Sequence, residues 1–176
     1  TLTLRLKDGL QVVLHPQPGA RAVAVLALVD TATEPAAQSG LAHLTEHLVV
    51  HGAPAATAAP PRRASGVDSR GAEGIPATWP LRGRSLAQSI AGLGGSLDAY
   101  TTLDHSAFLL TLARRALPAG LARLAQALAH PPTHAEALRA AAATVIDEIR
   151  QGEAAPERAL MQALMAAALP GERFHR

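Results

Sequence analysis

His43-Leu44-Thr45-Glu46-His47 places two imidazoles and a carboxylate in one pentapeptide. The surrounding stretch, Gly40 to Gly52, otherwise reads as an apolar helix. A helix turns once every 3.6 residues, so positions i and i+4 share a face. His43 and His47 can therefore bind one metal ion together. Glu46 projects from the same side, within reach of a water on that metal. Histidine pairs at this spacing with a glutamate between them are the chemistry of metal-assisted peptide hydrolysis.

On a helical wheel His43, Glu46, His47, Val50 and His51 fall in one arc. Leu41, Ala42, Leu44, Leu48 and Val49 cover most of the rest. A helix that is apolar over most of its circumference is a buried one. Burying a carboxylate and imidazoles without partners is costly, and a cation resolves all of them at once. A hydrolytic zinc site takes three protein ligands and keeps a fourth position for water. Two histidines are insufficient. The third ligand should be an acid or histidine on another buried element. Glu148 flanks the apolar stripe of a later helix, beside Ala137, Ala141, Thr144 and Val145, whereas Asp147 and Glu153 can face water. His51, one turn beyond His47, is the other candidate and is read as a surface residue or a neighbour of the ligands. Residue types alone leave this choice open. His105 lies near a predicted turn, exposed or facing substrate; His15, His130, His134 and His175 sit at element ends.

The elements that must position these groups are legible in outline. Leu2, Leu4 and Leu6, then Asp8-Gly9, then Leu10, Val12 and Leu14 read as a hairpin. Ala22 to Val29 is a continuous apolar run, predicted as a central strand. Ser39 is placed to cap the motif helix. Residues 53–84, rich in Ala, Pro, Gly and Arg without a period, read as a flexible insertion on the surface rather than a lid. Ser85 and Gln88 form a capping-box pair opening a helix that ends near Gly94-Gly95. Ser96 to Thr102 and Ser106 to Leu112 read as a strand hairpin. Ala116 to His130 is an amphipathic helix with Leu117, Leu121, Leu124 and Leu128 along one side. Thr133 and Glu136 suggest a capping box for a long helix to about Gln151, with Leu138, Ala142, Val145 and Ile149 as its core stripe. A last helix follows Pro156 and stops near Pro170-Gly171. Strands and helices are mixed without regular alternation, so the fold class is α+β, an antiparallel or mixed sheet packed against helices.

Composition narrows the function. The chain has 176 residues, enough for a single domain with its own core. Formal charge is only +2, the arginines are scattered and Trp79 is the single tryptophan. A nucleic-acid reader needs a basic stripe or stacking aromatics, so that class is set aside. With no cysteine, any metal must be held by His, Asp or Glu. The longest apolar run is too short to span a bilayer.

Four segments together resemble one family. They are Leu6 to Val13, Gly40 to Leu48, Leu93 to Thr102 and Val145 to Glu153. In this order they resemble the opening hairpin, the metal helix, the glycine turn with its substrate strand, and the third-ligand helix of the inverzincin, or pitrilysin-type, metallopeptidases of the insulinase family. Insulin-degrading enzyme and the mitochondrial processing peptidase belong to that family. The resemblance implies a zinc endopeptidase acting on unfolded peptides or small proteins. It implies zinc held by His43, His47 and Glu148, Glu46 as general base, and a peptide bound along Asp98, Ala99 and Tyr100 by strand addition. It further implies that residues 1–176 are an N-terminal peptidase domain incomplete at its C-terminal end, completed by a second homologous domain or subunit. Glu148 through Pro156 looks most like exported bacterial members, which favours a periplasmic or secreted location. Three positions depart from the pattern. Asp98 stands where asparagine is frequent, Ala141 where a second glutamate is usual, and Val50 where phenylalanine follows the metal helix. The alternative is a non-catalytic partner subunit that keeps the fold.

Overall fold

The computed structural model of the chain describes residues 1–31, 40–52, 83–102 and 104–168. Ser39, almost all of the expected insertion (53–82) and the predicted stop of the last helix at Pro170-Gly171 lie outside the described residues. The architecture is α+β, antiparallel strands packed against helices, as the mixed pattern of elements predicts.

The opening hairpin pairs β1 (Leu2–Arg5) with β2 (Gln11–Leu14). Gly9 turns it at φ 94, a conformation that favours glycine, and Leu10 N–H donates to Asp8 Oδ1 at 3.1 Å.

A three-stranded sheet follows in the order β3 (Ala22–Asp30), β5 (His105–Ala113), β4 (Ser96–Thr101), antiparallel throughout. The expectation of a central Ala22–Val29 strand is therefore corrected. Among the described strands β3 is an edge, and β5 occupies the middle. Val23, Val25 and Ala27 of β3 are half-buried, while Leu26 and Leu28 on the other face are exposed. An unbroken apolar run here marks a strand with two different faces, not a strand buried on both. In β5, Phe108, Leu110 and Leu112 turn inward and are fully covered.

Helices α1 (Leu41–His51), α2 (Leu86–Gly92) and α3 (Leu117–Ala129) cover that inner face. Val49, Val50, Leu86, Ile90, Phe108, Leu110, Leu112 and Leu124 form the main core. The Ser85–Gln88 capping box forms as predicted, with both reciprocal bonds present. Gly95 lets β4 start close under its neighbour: a Cβ there would sit 2.6 Å from the Thr111 carbonyl oxygen. On α3 the predicted stripe faces the core through buried Leu124, with Leu128 packed against it and Leu117 half-buried, whereas Leu121 is exposed; Gly120 is buried beside them.

Helix α4 (Ala135–Glu153) differs from expectation in two ways. Its cap is His134, whose ring nitrogen accepts from Ala137 N–H at 3.3 Å, rather than Thr133. Its buried row is Ala137, Ala141 and Val145, while Leu138 and Ile149 are exposed. The row follows i, i+4 spacing, and its Ala137 and Ala141 pack against Leu48 of α1. Close approach of two helices requires small residues at the contact, so alanine is inside and leucine outside. Helix α5 (Pro156–Ala168) closes the described chain. Among the described residues no helix is long and apolar enough to cross a membrane.

Candidate metal centre

Helix α1 begins at Gly40, whose φ of 90 is a conformation that favours glycine. Its second half is sunk into the core. Leu48, Val49 and Val50 are buried, and this fixes the rotation of the helix about its axis. His43 and His47 then share the face turned to α4, with Nε2 atoms 3.2 Å apart. Because α4 packs on α1 through Ala137 and Ala141, Glu148 comes to the same place two turns further along. Glu148 Oε2 lies 3.2 Å from His43 Nε2 and 3.3 Å from His47 Nε2. The imidazole of His47 is almost fully covered, and the His43 ring and the Glu148 carboxylate are partly open to solvent.

Three donor atoms thus form a nearly equilateral triangle. Zinc bonded tetrahedrally at about 2.0–2.1 Å separates its ligand atoms by about 3.3–3.4 Å. The spacing, the imidazole and carboxylate chemistry and the open side of the triangle all fit a divalent cation with one position left for solvent. His51 does not join the cluster. It is exposed, its ring centroid 5.9 Å from that of His47. Of the two third-ligand candidates, Glu148 is the one brought to the histidines.

Glu46, the residue before His47 on α1, is buried, 9% exposed. Its Oε2 accepts a 2.7 Å hydrogen bond from the Thr101 hydroxyl. Thr101 in turn lies 2.9 Å from Ser106 Oγ. Neither hydroxyl was singled out from the sequence. The available signal was Thr101 itself: it shares the inward row of β4 with Leu97 and Ala99, where a polar side chain needs a partner.

The strand expected at Ser96 to Thr102 forms as β4 over Ser96–Thr101. β4 pairs with β5 along one edge and with no other described strand. Asp98 and Tyr100 are exposed and project to the sheet face opposite Thr101, while Ala99 is half-buried with Leu97. Their side chains are therefore not gathered at the metal triangle; what β4 offers beside the site is its backbone edge. His105 lies at the β4–β5 turn, 3.0 Å from Thr102 Oγ1 and 2.6 Å from Asp104 Oδ1. Its ring stacks edge-on to Tyr100 at 5.9 Å. The Thr102 hydroxyl, and after it His105, hold the Asp104 carboxyl below its ordinary value.

Ala141, where the resembling family usually has a second glutamate, is buried against Leu48. It offers no carboxylate to the site. Val50 fills part of the main core.

Comparison with known proteins agrees with this geometry. The chain is 33% identical over 152 residues to coenzyme PQQ synthesis protein F of Klebsiella pneumoniae. That match covers 85% of this chain but only 17% of the relative's length. The family model for insulinase, peptidase family M16, matches residues 77–176. The matched region contains β4 and the Glu148 helix and starts after α1. The His-x-x-Glu-His helix lies outside the family-model match but within the stretch shared with the relative. On sequence match and on the convergence of α1 with α4, the chain belongs to the insulinase family, peptidase family M16.

Proposed function

We propose that this chain carries the metal-binding half-site of a zinc-dependent endopeptidase that cleaves unfolded peptides or small proteins. The observation that carries the reading is the triangle of His43, His47 and Glu148 with buried Glu46 beside it. His43, His47 and Glu148 would hold the ion. A divalent ion there supplies Lewis acidity, which acidifies water and polarises a carbonyl. Glu46 takes the proton from the attacking water and passes it to the leaving amine. The exposed edge of β4 aligns the peptide through main-chain hydrogen bonds at Asp98, Ala99 and Tyr100. A second homologous domain or subunit would supply further substrate contacts, in keeping with the small share of the relative's length that the chain spans.

The test is Glu46→Gln. It should bind zinc like the parent and lose peptide hydrolysis. A variant that cleaves as well as the parent would remove Glu46 from the base role.

One observation favours a second reading. The buried Ala141 contributes no acid, which suits a partner subunit that retains the fold without turnover. Against it stands the convergence of four ionisable groups, which a scaffold does not need. Metal content separates the two: about one zinc per chain, lost in His47→Ala, belongs to the peptidase.

A further inference from the structure

We propose that Thr101, held in turn by Ser106, is a positioning residue for Glu46. The inference rests on the reading of Glu46 as the base, and it names what orients that base.

A hydroxyl has one proton to donate. Thr101 gives its proton to Glu46 Oε2, since an ionised carboxylate only accepts. The 2.9 Å contact between Thr101 and Ser106 must then be donated by Ser106. The chain runs one way, from Ser106 through Thr101 to Glu46. Thr101 and Ser106 stand directly opposite each other in the β4–β5 register, so strand pairing sets their separation. Ser106 is 4% exposed and adjoins Phe108 on the covered face of the sheet. The carboxylate is therefore anchored to a pair of hydrogen-bonded strands on the covered face of the sheet.

This anchoring is directional. Oε2 is occupied by Thr101, whereas Oε1 accepts no hydrogen bond from any described residue. Fixing one oxygen fixes the carboxylate plane and leaves the other oxygen to receive a proton. A site that holds its base within about 0.5 Å of the productive position gains rate without gaining substrate affinity. The strand whose free edge would carry the peptide thus also holds the base. Substrate alignment and base alignment share one element.

The experiment compares Thr101→Val, Thr101→Ser and Ser106→Ala in the metal-loaded protein. Thr101→Val keeps the side-chain volume and removes the donor. Its kcat should fall about ten- to a hundredfold, with KM within about twofold of the parent. Zinc content should stay at the parent value. Thr101→Ser should restore most of kcat, and Ser106→Ala should lower it about threefold at unchanged KM. Crystal structures should find the Glu46 carboxylate of Thr101→Val displaced by more than about 0.5 Å. An unchanged kcat in Thr101→Val, or an unmoved Glu46, overturns the proposal. If Thr101→Val fails to fold, Ser106→Ala decides, and an unchanged kcat there overturns it. If the parent itself cleaves no peptide, the peptidase reading falls separately. The position of Glu46 in the Thr101→Val crystal then decides the positioning role by itself.

Discussion

Glu148 Oε2 lies 3.3 Å from His47 Nε2, across two helices that α2, β4, β5 and α3 separate along the chain. Neither helix can form the triangle alone. The site exists because Leu48 of α1 seats on Ala137 and Ala141 of α4, which fixes the helices in rotation and register. Packing and function are joined at that contact.

Leu48→Ala should therefore weaken both. Removing a buried leucine side chain costs about 2–5 kcal/mol. We expect that loss in chemical unfolding, together with weaker zinc affinity at unchanged ligand residues. Zinc affinity equal to the parent would mean that α4 is held in place by something other than this contact.

Removing the metal should leave the fold standing. Val49 and Val50 anchor α1 in the main core independently of the ligands. Chelation should lower the unfolding free energy by no more than mass action predicts, about 2.7 kcal/mol at a metal concentration of 100 Kd. Far-UV circular dichroism should keep its helical signal. Wholesale unfolding on chelation would instead mark the ion as a structural staple.

The β4–β5 turn carries a pH signature. Asp104 is held below its ordinary value by the Thr102 hydroxyl and then by His105. A carboxyl depressed in the folded state stabilises above its unfolded-state pKa of about 4 and loses that effect as pH falls through the folded value. NMR titration of Asp104 should give a low midpoint that rises in Thr102→Val. An identical midpoint in both proteins would contradict the role of the Thr102 hydroxyl.

Legibility followed the range of the interactions. The His43–His47 pair, the Ser85–Gln88 box and the Asp8-Gly9 turn are set by neighbours a few residues away, and spacing alone reveals them. Glu148 was a candidate from helix position and became specific through the family resemblance. On α4, side-chain size points to Leu138 and Ile149 as core residues, and of the expected stripe Val145 is the one that is buried. A close helix pair instead excludes Leu138 and admits Ala137 and Ala141. Ala22 to Val29 was placed at the sheet centre because apolar continuity does not record which strand neighbours which. Spacing does not reveal Thr101 and Ser106 for the same reason: the chain of hydroxyls ends on Glu46, which lies on a helix remote in sequence.

Anomalous diffraction at the zinc edge, on crystals of the protein grown with zinc, tests the central claim most directly. The account predicts one strong peak about 2.0–2.2 Å from His43 Nε2, His47 Nε2 and a Glu148 carboxylate oxygen. The peak should vanish in His47→Ala. Well-ordered side chains at 43, 47 and 148 with no peak between them, in crystals that carry zinc elsewhere, would contradict it.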